Sequence, residues 1–203
     1  MRFYETTENA HGLAHDPFKA IVAPRPIGWI GSRGTNGTRN LAPYSFFNAV
    51  SDRPKIVMFS SSGRKDSLRN VEETGEFTTS FVSANLTENM NASSAAVPYG
   101  EDEFALAGLT PVDGKLVKAP FVGEAFAALE CRVTEILRLS DVSGEPSDSY
   151  AVFGQVVGIH LDEKAIRNGR FDASIARPLL RMGYMDYAHI SDVFELARPS
   201  VKS

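Results

Sequence analysis

The chain has a single cysteine, Cys131, in 203 residues, so no disulfide can form within it. Its setting in the alternating stretch "ALECRVTEILRL" is that of a small buried hydrophobe rather than a reactive thiol. No run approaches the ~18 consecutive apolar residues that a membrane-crossing helix needs, so no membrane role is expected. The first residues, "MRFYETTENAHGLAHDPFKAI", carry acids and histidines where a secretion signal would be apolar, and the cytoplasm is the expected compartment. The sequons at Asn36, Asn85 and Asn91 are accordingly read as turn and cap chemistry. Cations are in deficit as well: 21 Lys and Arg against 25 Asp and Glu leave a net charge of −4. Without clustered positive charge, no nucleic-acid role is expected.

Several signature motifs are also missing. There is no G-x-x-x-x-G-K-[ST] phosphate loop, no G-x-G-x-x-G dinucleotide turn and no G-x-S-x-G nucleophile elbow. The four histidines, His11, His15, His160 and His189, share no ligand-like spacing, and no metal site is expected. His160, at the end of a strand-like run, reads as a satisfied structural histidine.

What is present is an ordinary single domain spanning residues 1–203, 43% hydrophobic and 23% charged, with a core over about 18–190. "PIGWIGS" reads as a strand, and "TNGT" offers Asn36-Gly37 for a tight turn. The chain then returns through "RNLAPYSFFNAV", where Pro43 lacks an N–H and so predicts a sheet edge or bulge with backbone groups left free. "KIVMFS" and "EFTTSFVS" are further strands, separated by a helix of about nine residues that opens at Asp66 or Ser67 and closes at Gly75. Asn85 and Glu88 have the spacing of a capping box for a second helix. "KLVKAPF", "ALECRVTEILRL" and "YAVFGQVVGIHL" complete about six strands, with "VSGEPSDS" as a loop. The apolar cluster in "NGRFDASIARPLLRMGYMDYAHI" is expected to cover the sheet, and "ARPSVKS" reads as a tail. Short helices and little βαβ alternation predict a mainly β fold, an antiparallel barrel with short flanking helices.

The richest polar stretch is "SSSGRKDSLRN", Ser60 to Asn70, placed between a strand and a helix. A helix N-terminus with adjacent hydroxyls, Arg64, Lys65 and a permissive Gly63 suits a phosphate monoester. Taken alone, these residues also suit a solvated turn whose Ser and Asp merely cap the helix.

"RPIGWIGS", "RNLAPYSFFNAVS", "VMFSSSGRKDSLRN" and "TGEF", in this order, resemble the flavin reductase-like family, whose members bind FMN on a split β-barrel, and this narrows the expected barrel to a split β-barrel of Greek-key type. "ENMNASSAAVPYGEDEFALAGLTPV", "LECRVTEI" and "VVGIHLD" extend the resemblance from about Pro24 to Tyr187. It implies phosphate-holding roles for the loop Ser60, Ser61, Ser62, Arg64, Lys65, Asp66 and Ser67. It implies ring contacts along Asn40, Ala42, Pro43, Tyr44 and Ser45, with Trp29 and Ser32 as cofactor neighbours. One departure is visible: the family often has a Gly-Gly pair after a C-terminal arginine, whereas "RMGYMDY" places Tyr184 at the second glycine after Arg181 and Gly183.

The resemblance further implies an FMN-dependent NAD(P)H:flavin oxidoreductase, a homodimer, feeding a monooxygenase or another electron acceptor. The alternative is a flavoredoxin-like FMN carrier reduced by a protein partner. Hydride transfer between nicotinamide and flavin requires no side-chain acid or base, so no catalytic residue is assigned.

Overall fold

The computed structural model describes residues 1–199; the end of the predicted tail, 200–203, lies outside them. In chain order the elements are α1 (Phe18–Ile21), β1 (Arg25–Pro26), β2 (Gly28–Arg33), β3 (Arg39–Tyr44), β4 (Phe47–Asp52), β5 (Lys55–Ser62), α2 (Asp66–Thr74), β6 (Glu76–Ser80), α3 (Thr87–Ala92) and α4 (Glu103–Leu106). They continue with β7 (Pro111–Asp113), β8 (Pro120–Val122), β9 (Ala127–Ser140), β10 (Pro146–Leu161), β11 (Ile166–Arg167), β12 (Arg170–Phe171), α5 (Ala173–Ala176), β13 (Leu179–Arg181) and β14 (Tyr187–His189).

Seven strands form one antiparallel sheet in the order β3-β2-β6-β9-β10-β5-β4. The sheet curls so that β3, at one end of the order, packs against β5, near the other, with the Tyr44 and Phe59 rings 4.9 Å apart. This is the expected split barrel. Alternation along β2 explains how the curl is filled: Ile30 joins Phe59, Leu68, Val71, Phe77 and Val152 inside, whereas Trp29 joins Leu86, Met90, Phe104 and Val122 on the outer side. Both faces of β2 are thereby buried, and α2 lies against the inner cluster through Leu68 and Val71. Cys131 is in that same cluster, and burial pushes its thiol up to about 12, consistent with the packing role read from the sequence.

Local departures from the expectations have physical causes. The return segment after the first turn is two strands rather than one, because the chain leaves the sheet at Ser45-Phe46 and re-pairs as β4 on the far edge. In the "TNGT" turn only Gly37 takes a positive φ, 87°, while the Asn36 side chain accepts the Thr38 N–H at 3.1 Å. Asn85 caps nothing: its Oδ1 accepts the Ser83 hydroxyl at 2.6 Å, so the capping box does not form. "KLVKAPF" is mostly loop, because the Glu130 carboxylate on β9 takes the N–H groups of Lys115, Leu116 and Val117 at 2.9, 2.6 and 2.9 Å. The strand "YAVFGQVVGIHL" begins earlier than expected, at Pro146, and shortens the preceding loop. His160 is satisfied as expected, its Nε2 lying 2.6 Å from Glu130 Oε1 and its ring against Phe121.

At the C-terminal end β13 pairs with both β1 and β14. Buried Arg25 holds this small sheet to the N-terminal segment, donating to the carbonyls of Lys19, Val22 and Met182. Tyr184 adopts φ 55°, the left-handed conformation that a glycine at its position would take without strain.

Candidate functional site

The two stretches that the sequence singles out meet in space. β3 runs to Tyr44 at the sheet edge, and the carbonyl of Phe46 just beyond it accepts the Ser60 N–H of β5 at 2.8 Å. That bond places the end of "RNLAPYS" beside the start of "SSSGRKDS". A cleft of about 490 Å³ opens between them, within the range of small-molecule sites.

At one end of the cleft lie Ser60, Ser62, Lys65, Asp66 and Ser67. Here α2 begins on Lys65 with extended backbone and no side chain capping its first turn. A nine-residue helix thus presents its opening N–H groups and positive dipole end beside a lysine and several hydroxyls. Gly63, at φ 81°, allows the chain to turn sharply from β5 into this helix, and its N–H is held by the Asp148 carbonyl at 2.6 Å. The helix ends as the sequence predicts, on Gly75 at φ 70°.

At the other end lie Ala42, Pro43, Tyr44, Ser45 and Phe46, opposite a wall made of Ser93, Ser94, Ala95, Ala96 and Val97. β3 is an edge strand that pairs only with β2, so the backbone groups on its other side are not consumed by a ladder. The Pro43 reading anticipates this edge. The N–H of Leu41 is the exception: it donates to Glu103 Oε2 at 3.0 Å.

Some of the residues singled out in the sequence serve the cleft indirectly or point elsewhere. Trp29 is fully buried behind the wall, where its indole N–H donates to Ser93 Oγ at 2.8 Å and so fixes that serine. Ser61 is also buried, donating to the Gly63 carbonyl at 2.9 Å and shaping the turn. Ser32 and the side chain of Asn40 belong to a buried polar network with Ser67 and Asn70. Arg64 turns outward, its guanidinium paired with Glu72 on the exposed side of α2, and does not line the cleft. Arg181 likewise serves the β13–β14 hairpin, bonding the Tyr187 hydroxyl and the Tyr184 carbonyl at the turn, while Gly183 packs against Ala20.

Sequence reasoning missed Phe46, the 93–97 wall and Glu103. The signal was there: "NASSAAVPYGEDEF" is a run of small residues ending in an acid placed beside a helix start. Glu103 is 5% exposed, lines the cleft, and holds Asn40 Nδ2 at 2.9 Å as well as the Leu41 N–H. Burial raises its carboxyl above the usual range, against the lowering effect of those bonds, and Asp66 adds to the rise.

The donor set fits an elongated ligand with an anion at one end and a planar group of mixed polarity at the other. FMN has that form. An uncapped helix start with Lys65 and hydroxyls suits its phosphate. The open edge of β3 suits the polar rim of its ring, and Pro43, Phe46 and Val97 offer apolar contact.

Comparison with known proteins agrees. A family model described as the flavin reductase like domain matches residues 22–184. An uncharacterized protein of Deinococcus radiodurans is 38% identical over 192 residues, covering 88% of this chain and 82% of that one. The crystal structure of nitrilotriacetate monooxygenase component B from Bacillus cereus superposes with a TM-score of 0.87 at 30% identity, covering 97% of this chain and 98% of that one. Flavoredoxin of Desulfovibrio vulgaris (Miyazaki F) shares the fold, with a TM-score of 0.76 at 23% identity over 86% of this chain and 91% of that one. With the family model covering most of its length and the Deinococcus radiodurans relative 38% identical over 88% of it, the chain belongs to the flavin reductase-like family and has that family's FMN-binding oxidoreductase fold.

Proposed function

We propose that this chain is an NAD(P)H-dependent flavin reductase that holds FMN in the cleft and passes electrons onward to a monooxygenase or another acceptor. The observation that carries the reading is the pairing of an uncapped helix start with an open strand edge across one cleft. When bound, FMN supplies the redox chemistry, accepting hydride from a nicotinamide and releasing electrons to an acceptor.

The protein's part is to hold and orient. Lys65, the hydroxyls of Ser60 and Ser62 and the first N–H groups of α2 would hold the phosphate. The backbone of Ala42 to Ser45 would meet the ring edge, where main chain supplies donors and acceptors without adding charge. Pro43, Phe46 and Val97 would exclude water from one side of the ring. No side chain is assigned a proton-transfer role.

A cytoplasmic homodimer goes with this reading. Two apolar hollows of about 200 and 500 Å³ share Leu129 as a border, and Val50 and Ile159 beside it are 48% and 52% exposed. A second copy would cover them. Among the described residues no helix is long and apolar enough to cross a membrane.

The test is the visible spectrum of the protein loaded with FMN, followed anaerobically as NADH and then NADPH is added. Bleaching of the flavin band by either nucleotide is expected. A flavin that stays oxidised with both overturns the reductase reading in favour of a carrier reduced by a protein. A chain that binds no FMN overturns both.

A further inference from the structure

Asn40 sits at a junction. Its Nδ2 faces Glu103 Oε1 at 2.9 Å, and its Oδ1 faces the hydroxyls of Ser67 at 2.7 Å and Ser32 at 3.2 Å. Ser32 in turn accepts from Asn70 Nδ2 at 3.1 Å. Asn40, Ser67, Ser32, Asn70 and Glu103 are all buried, and Asn40, Ser67 and Glu103 also border the cleft. It runs from the strand that borders the ring end of the cleft to the first turn of α2 at the phosphate end.

The direction of this chain follows from what each group can do. An ionised carboxylate only accepts, so Asn40 must turn its NH2 to Glu103 and its oxygen to the serines. Each hydroxyl has one proton, and both protons then point at Asn40. Ser67 is left with lone pairs alone to offer the cleft. A phosphate, which needs donors, draws nothing from it.

We propose that Glu103 is a positioning residue whose charge fixes the direction of this chain, and thereby decides whether Ser67 presents a proton or lone pairs to an anion bound at the start of α2. The proposal rests on the FMN reading above. With Glu103 neutral the chain reverses by a half-turn of the Asn40 amide, which exchanges its N and O and requires no other heavy atom to move. The Glu103 O–H donates to Asn40 Oδ1, Asn40 Nδ2 donates to the serines, and the Ser67 proton is freed. Glutamine reproduces that state, since its NH2 can donate to Asn40 while its oxygen still accepts the Leu41 N–H.

The charged and titratable surroundings favour such a change. Asp66 on α2 faces Glu103 and, with burial, raises its carboxyl. The Tyr44 hydroxyl of β3 lies beside Ser67 and Ser61. Asp102, next to Glu103 in sequence, is engaged by Arg39 of β3 at 3.5 Å, so that cation pairs with Asp102. Lys65 is the cation that lines the cleft.

The experiment is a fluorescence titration of FMN and of riboflavin, which lacks the phosphate, against the wild-type chain, E103Q, S67A and the double variant. E103Q is expected to tighten FMN roughly three- to ten-fold and to change riboflavin less than about two-fold. S67A should cost more affinity in the E103Q background than in the wild type. An E103Q affinity equal to or weaker than wild type, an equal gain for riboflavin, or additive substitutions would each overturn the proposal. Wild-type protein that binds no FMN overturns the FMN reading, and this inference with it. If E103Q does not fold, NMR of the wild type at alkaline pH decides. Cross-peaks from the Asn40 side-chain NH2 to the Glu103 methylenes support the proposal, and cross-peaks to the Ser67 methylene instead overturn it.

Discussion

Glu130 and Glu103 are both buried carboxylates, 1% and 5% exposed, and both hold backbone N–H groups of a neighbouring segment. Their protons behave oppositely. Burial pushes each carboxyl up, but Glu130 is countered by the N–H groups of Lys115 and Leu116, the His160 ring and the Val117 N–H, which together hold it at about 2. Glu103 has the Leu41 N–H, its own N–H and the Asn40 amide, with Asp66 as an adverse neighbour, and it stays above the usual range. The difference is one of saturation. Glu130 is a closed knot that shapes the loop between β7 and β8, outside the lining of the cleft. Glu103 is a knot left partly open on the wall of a cleft.

The largest effect should come from untying the closed knot. E130A leaves three N–H groups, the buried one of Val117 among them, without an acceptor and should cost about 3 kcal/mol of stability, read by denaturant unfolding. FMN affinity should stay within about two-fold, and a large loss of affinity would erase the contrast. Second in size is K65A, which should weaken FMN about ten-fold with little change in stability. R64A should change FMN affinity less than about two-fold, because Arg64 is committed to Glu72. An Arg64 effect as large as that of Lys65 would mean that the ion pair opens when ligand arrives.

The third prediction concerns His160. H160F removes one of the bonds on Glu130 and should cost about 1 kcal/mol. Because the folded-state value of Glu130 lies below the unfolded one, its contribution is full above the ordinary carboxylate range and is lost as pH falls towards about 2. H160F should therefore move the acid unfolding limb to higher pH. The smallest effect belongs to Glu103, for which the sign reverses. Its folded-state value is raised, so its contribution is present below the ordinary carboxyl range and is lost as pH rises through the raised value. E103Q should thus gain stability relative to wild type towards alkaline pH, by tenths of a kcal/mol, and thermal unfolding against pH would show the two curves diverging there. Parallel curves would put Glu103 in the same class as Glu130.

Much of this frame was legible from local pattern. The β-period runs gave β2, β5, β6, β9 and β10. Gly75 marked the end of α2 to the residue, and Pro43 marked β3 as an edge. What stayed hidden depends on partners distant in sequence. Nothing near Asn40 shows that its side chain turns to a glutamate 63 residues away, and nothing near Trp29 names Ser93, 64 residues on. "KLVKAPF" has the apolar content of a strand, and the carboxylates of Glu130 and Glu76 take the N–H groups of Lys115 to Lys118 that a strand ladder would use. For the site, residue type found the polar end of the cleft, whereas the 93–97 wall left only a run of small residues in the sequence, and its place opposite β3 follows from the fold.

The uncapped start of α2 has one more consequence. Amide hydrogens that no protein group holds lack the protection of a hydrogen bond, and an anion seated on them would slow their exchange without altering the rest of the helix. The backbone amides of Asp66, Ser67 and Leu68 are therefore a built-in gauge of occupancy, readable by hydrogen–deuterium exchange even for a ligand that absorbs no light.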